Sequence, residues 1–179
     1  ADTPSGSRFS QHANALAVWL DVAPSAAQRD IMTRILAPTR AGDSPVIFPA
    51  SYYYRFYLAR ALQHAGMGDQ YIRQLQPWRN MIALGLTTWA EQPEPTRSDS
   101  HAWSSHPNFD LLNIVAGIQP ASLGFRSVLI APHLGPLHNL TASYPHPHGA
   151  ITVQYTRENG GLRAVIHLPH GLPGTFRWQ

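Results

Sequence analysis

"NLTASYPHPHGAITVQYTRENGGLRAVIHL", residues 139–168, alternates apolar and polar side chains with a period of two. Leu140, Ala142 and Tyr144 form one row, Ile151, Val153 and Tyr155 a second, and Leu162, Ala164, Ile166 and Leu168 a third. Such rows mark half-buried strands, because successive side chains of a strand point to opposite faces. "RENGG" lies between the second and third rows, and this glycine-rich turn signals a hairpin. The same period starts upstream at Phe125, with Val128 and Ile130, and Phe176 and Trp178 supply a last strand. The tail therefore reads as an antiparallel β unit, small enough to need something else to pack on.

Upstream of Phe125 the spacing is helical. Phe9, Ala13, Leu16, Ala17 and Leu20 fall at offsets that line one helix face. Ser25 with Gln28 three residues later is a capping-box pattern, followed by Ile31, Met32, Ile35 and Leu36, and Pro38 ends that helix. After the turn-rich "PTRAGDSP" (38–45), a third helix runs from near Ser51 through Tyr54, Tyr57, Leu58, Ala61 and Leu62 to Gly66, a C′ glycine. A fourth starts near Asp69, places Ile72, Leu75 and Ile82 inward and is kinked or broken by Pro77. A fifth runs from Pro107 through Phe109, Leu112 and Val115 to Gly117. The expected division is residues 1–119, helical hairpins, and residues 120–179, a β domain.

At 179 residues, with 44% hydrophobic and 13% charged side chains, the chain suits a folded protein and not a disordered one. The formal charge of +3 comes from 13 arginines and no lysine, spread from Arg8 to Arg177 without a dense run, so nucleic acid is not an expected partner. Cysteine is absent, which excludes disulfides and thiolate metal sites. No stretch reaches the roughly 18 apolar residues of a membrane span, and "ADTPSGSRFSQ" lacks the basic-then-apolar order of a signal peptide. Of the ten histidines, His146 and His148 in "PHPHG" come nearest to a metal motif, yet no familiar zinc spacing occurs and they read as structural or solvent-facing. No metal and no cofactor is expected. In "SYYYRF", Tyr53 and Tyr57 share one helix face and Tyr54 and Leu58 another, so not all of these rings can enter one core.

"TTWAEQPEPTRSDSHAWSSHP", residues 87–107, is the chemically dense segment. Of three glutamates in the chain, Glu91 and Glu94 both lie here, and Pro93 and Pro95 forbid a helix. Loops held by helices are where sites are commonly built. A carboxylate flanked by indoles, here Trp89 and Trp103, suits sugar chemistry: the rings stack on the sugar while the carboxylate activates water. The same residues also fit a solvated acidic loop in which a glutamate pairs with Arg97.

This segment, running on through "NFDLL" and followed by "VAGIQPASLGFRSVLIAPHLGPL" and "YPHPHGAITV", resembles the C-terminal part of bacterial α-L-rhamnosidases of glycoside hydrolase family 78. "RFSQHANALAV" and "PASYYYRFYLARAL" resemble the late helices of that family's barrel. The resemblance implies an α+β multidomain fold: part of an (α/α)6 barrel, about five helices, followed by an antiparallel β-sandwich. It implies that the chain is a C-terminal fragment of an inverting hydrolase releasing terminal α-L-rhamnose from rhamnosides. Glu91 matches the general base, His101 a histidine of the rhamnose pocket, and Trp89, Trp103 and Tyr54 its aromatic lining. Ser100 stands where the family's "RSDCHAW" has cysteine. The general acid belongs to an earlier barrel segment of "DxPxRxE" type, absent from residues 1–179, so the chain alone is expected to be inactive. Expected partners are rhamnose-containing glycosides and either the remaining barrel or a second copy of the chain. A bacterial source is implied; the compartment is unknown, with periplasm and exterior as candidates. A noncatalytic carbohydrate-binding or structural module is the alternative.

Overall fold

The computed structural model describes residues 2, 6, 8–37 and 47–178. Pro38 and the "PTRAGDSP" turn lie outside the described residues. Helices come first and sheets second, an α+β order, in two units, Ala1–Pro107 and Asn108–Gln179.

In the first unit, α1 (Gln11–Trp19) packs on both α2 (Ser25–Leu36) and α3 (Arg55–His64), with Val18, Met32, Leu58 and Leu62 at the centre of one apolar cluster. The short strands β1 (Phe9–Ser10) and β2 (Ile47–Phe48) pair in parallel. The buried face of α1 is not the predicted apolar row: Ala13 and Leu20 are exposed, while Gln11, Ala15 and Val18 point inward. Gln11 causes the difference. Its amide donates to the Ile35 carbonyl at 2.7 Å and accepts the Ala50 N–H at 2.8 Å, so a polar side chain satisfied at both ends occupies the interior.

Ser25 begins α2 as a helical residue after Pro24, and no capping box forms. Gln28 instead turns inward and donates to Asp21 Oδ1 and the Ala23 carbonyl. Gly66 ends α3 as predicted. Its φ of 65° lets its own N–H reach Gln63 O and the Met67 N–H reach Leu62 O, which satisfies two terminal carbonyls. A 3-10 stretch, Gly68–Leu75, leads into α4 (Gln76–Ala83). Pro77 sits in the first turn of α4 and starts the helix, where its missing N–H costs nothing. Trp78 and Met81, three residues apart, share the inward face, so Ile82, one step of about 100° further round, is 76% exposed rather than inward.

The second unit opens with α5 (Pro107–Asp110), which continues as a π-helical turn, Leu111–Val115, closed by the Ala116 N–H on Leu111 O at 2.9 Å. Gly117 follows with φ 74°, and a Cβ there would lie 2.2 Å from the Ala131 backbone, so only glycine fits. One sheet pairs β3 (Ile118–Pro120) antiparallel to β4 (Val128–Ile130), which pairs in parallel with β8 (Gly174–Phe176). The other is an antiparallel meander of β5 (Asn139–His146), β6 (Gly149–Glu158) and β7 (Gly161–His167). Ile118, Val128 and Ile130 of the first share a core with Ile151, Val153 and Tyr155 of the second. Asn159 and Gly160, both at positive φ, make the predicted tight turn between β6 and β7. Strand pairing thus starts at Ile118, ahead of the expected Phe125, and the smaller sheet is mixed because the chain returns to β4 from the far end of the meander.

Candidate functional site

Beyond α4 the prolines keep the backbone out of a helix, and hydrogen bonds across the loop shape it instead. The Thr88 hydroxyl donates to the Asp99 carbonyl, the His101 N–H to Trp89 O at 2.7 Å, and the Glu91 N–H to Ser98 O at 2.9 Å. From the segment preceding α3, the Tyr52 N–H donates to Glu91 O at 3.1 Å. Glu91 is therefore fixed through both of its backbone polar groups. Its neighbour Ala90 is buried with Trp78 and Met81.

The Glu91 side chain is only 7% exposed, yet it is paired with Arg97. Arg97 Nε donates to Oε2 at 3.0 Å and Arg97 Nη2 donates to Oε1, a two-pronged contact. The hydrogen bonds from Arg97 hold the Glu91 carboxyl below the usual glutamate range, against burial, which pushes it upward. The charge of Arg97 and a further contribution from His101 act in the same direction. The pairing that fits a solvated loop is thus present, but its carboxylate is enclosed. A carboxylate offers about four acceptor positions and Arg97 uses two.

Three rings stand together at this loop. Tyr53 lies 5.1 Å from His101 and 6.0 Å from Trp103, centroid to centroid, and His101 lies 6.2 Å from Trp103. Trp103 is 73% exposed, an apolar face open to solvent. Tyr53, Phe56, Tyr57, Trp103 and His106 line a cavity of about 250 Å³. His106 is held against Trp78 at 5.0 Å and lies 3.3 Å from the Tyr52 carbonyl.

Of the five nominated residues, His101 and Trp103 meet around Tyr53, while Glu91 is held by Arg97. Tyr54 turns away to stack on His12 at 4.3 Å and Tyr57 at 4.8 Å, and burial pushes its phenol up. Trp89 packs with Trp78, Met81 and Ala90. Tyr53, and not the expected Tyr54, is the tyrosine beside His101 and Trp103.

A larger groove of about 970 Å³, lined by Leu36, Pro49, Arg55, Gln74 and Pro77 among others, contains neither Glu91 nor any other nominated residue. Chemistry, not volume, locates the candidate site. Among the described residues no three His, Asp or Glu side chains converge as metal ligands. In "PHPHG" the His148 N–H donates to His146 Nδ1, so His146 Nε2 carries the proton and donates to Phe125 O at 3.0 Å, a fold-stabilising role.

Residues 117–175 match the family model described as the bacterial alpha-L-rhamnosidase C-terminal domain. Over these residues the chain is similar to that domain. A GH78 family rhamnosidase of Bacillus sp. GL1 superposes on 96% of this chain with a TM-score of 0.76 at 23% identity. An alpha-L-rhamnosidase from Dictyoglomus thermophilum superposes on 94% with a TM-score of 0.70 at 16% identity. No curated protein matches the chain. The α+β fold of helices and sheets described above thus matches part of the fold of these two rhamnosidases, and the chain spans about 20% of the length of each. The matched residues cover the two three-stranded sheets nearly to their end, whereas all five nominated residues precede Gly117.

Proposed function

We propose that the chain is the C-terminal portion of an inverting glycoside hydrolase that releases terminal α-L-rhamnose, with residues 1–119 ending the catalytic domain and 120–179 forming the trailing β domain. Glu91 is the general base, His101 and Trp103 bind the sugar, and Trp89 and Tyr54 support the pocket wall from adjoining clusters. The observation that carries this reading is an enclosed carboxylate, gripped by Arg97, in the same loop that carries the exposed Trp103 and its His101 and Tyr53 neighbours: a base for water and an apolar surface for a sugar ring supplied by one short segment. The substrates are rhamnose-containing glycosides.

An inverting hydrolase also needs a general acid, with the two carboxyl groups about 6.5–9.5 Å apart so that water fits between them. Glu94 is engaged locally, accepting the Thr96 N–H at 3.1 Å, and the acid is assigned to a part of the protein outside this chain. The isolated chain then shows no turnover of 4-nitrophenyl α-L-rhamnoside. For the full-length protein, proton NMR during the first turnovers tests the stereochemistry: β-L-rhamnose forms first, whereas α-L-rhamnose as the initial product contradicts inversion.

The engagement of both Glu91 oxygens by Arg97 favours a second reading, a noncatalytic sugar-binding module. Calorimetry on the isolated chain with L-rhamnose separates the two when combined with turnover: binding together with an inactive full-length protein supports the module.

A further inference from the structure

Glu91 is enclosed, but its partner is not: the Arg97 side chain is 79% exposed and the Glu91 side chain 7%. A buried carboxylate left alone is driven toward its neutral form, because burial penalises charge. A base in that form accepts no proton. Something must hold the charge in place, and the fork of Arg97 is in contact with both oxygens. The backbone brings it there. The Glu91 N–H on Ser98 O closes the loop, and the Thr96 hydroxyl donates to the same carbonyl at 3.0 Å, so Arg97 lies between two anchored residues, six positions from Glu91.

We propose that Arg97 is a positioning residue for Glu91, gripping both carboxylate oxygens from the solvent side and fixing the plane and the charge of that carboxylate. This rests on the reading of Glu91 as the base and adds a group to it. A guanidinium fork matches a carboxylate edge to edge, which a lysine ammonium cannot do, so Arg97 sets orientation as well as charge. The other groups whose charge acts on this pair are His101, on Glu91, and the Tyr53 phenol, on Arg97. His101 lies in the same loop, and Tyr53 comes from the segment before α3. Arg97 gains too, since Glu91 raises its already high pKa, and it stays charged throughout the working range of any hydrolase.

The test is a carboxyl carbon NMR titration of the 179-residue chain labelled at glutamate. Three glutamates give three signals, and Glu91→Gln identifies the one belonging to Glu91. In the wild type its midpoint lies below that of a model-peptide glutamate, about 4.3. In Arg97→Gln the midpoint moves up, and in Arg97→Lys it falls between the two. A wild-type midpoint at or above the model-peptide value overturns the proposal, as does a midpoint unmoved in both variants. If a variant fails to fold, the wild-type titration still decides. Turnover does not enter this measurement, so a failure of Arg97 is distinguishable from a failure of Glu91 as the base.

Discussion

Arg97 and Glu91 face each other across a short loop in a two-pronged contact, one partner almost fully in solvent and the other almost fully out of it. An exposed ion pair usually contributes little, because water screens it and both side chains lose freedom. Here the shielded partner makes the contact matter chiefly for the charge state of Glu91.

That charge state sets a direction for stability against pH. The folded Glu91 carboxyl binds its proton more weakly than the unfolded one, so its contribution is complete above the unfolded value, about 4.3. It is lost as pH falls through the lower folded value. Asp21, depressed by hydrogen bonds from His64 and Gln28, acts in the same sense. Thermal melts on the acid side should show Tm falling with pH, and falling less steeply in Glu91→Gln. An unchanged slope in that variant contradicts the pairing.

Gln11 offers a test of the helical unit. Truncation by Gln11→Ala removes the partner of the buried Ala50 N–H and of the Ile35 carbonyl together. The expected loss is on the order of 2 kcal/mol or more, since each buried polar group left unpaired costs about 1–3 kcal/mol. Urea denaturation reads this directly, and a change below about 0.5 kcal/mol would show that the amide is not holding α1, α2 and the segment before α3 together.

Tyr155 plays the matching part in the second unit. Its hydroxyl, buried in the core, donates to the Ala116 carbonyl at 2.9 Å, and burial raises its pKa well above the ordinary phenol value. Tyr155→Phe keeps the ring and leaves that carbonyl without this donor, with an expected cost of about 1–3 kcal/mol. The phenol of the wild type should also resist ionisation in an alkaline ultraviolet titration until the fold is lost.

Leu20, Val22, Ile82 and Leu84 are large apolar side chains exposed on the first unit. Exposed apolar patches drive association. Light scattering of the isolated chain should show species larger than a monomer at micromolar concentration, and polar substitution of Ile82 and Leu84 should reduce them. A clean monomer throughout contradicts this expectation.

How much of this was legible in the sequence depends on where local rules compete with tertiary ones. The rows of β5, β6 and β7 were legible because one face of each strand is covered and the period of two admits a single register. Gly66 and Gly117 were legible because each occupies a left-handed position after a helix, and Gly117 also touches the Ala131 backbone. The face of α1 was not, because Gln11 counts as polar in any pattern yet finds both of its partners far along the chain, in Ile35 and Ala50. The parallel return of β8 was hidden for a similar reason: three residues carry no sign of which strand they will meet. At the candidate site, the density of reactive groups in residues 87–107 marked the loop in which Glu91, His101 and Trp103 lie. What it could not convey was that Tyr53 rather than Tyr54 faces His101, since that choice depends on the non-helical turn preceding Arg55.

The central claim is that Glu91 activates the water. Its most direct test is turnover of 4-nitrophenyl α-L-rhamnoside by the full-length protein carrying Glu91→Gln, with circular dichroism confirming the fold. The account predicts that kcat falls about 10²- to 10⁴-fold, the usual contribution of a general base, with KM little changed. Turnover close to that of the wild type would contradict it.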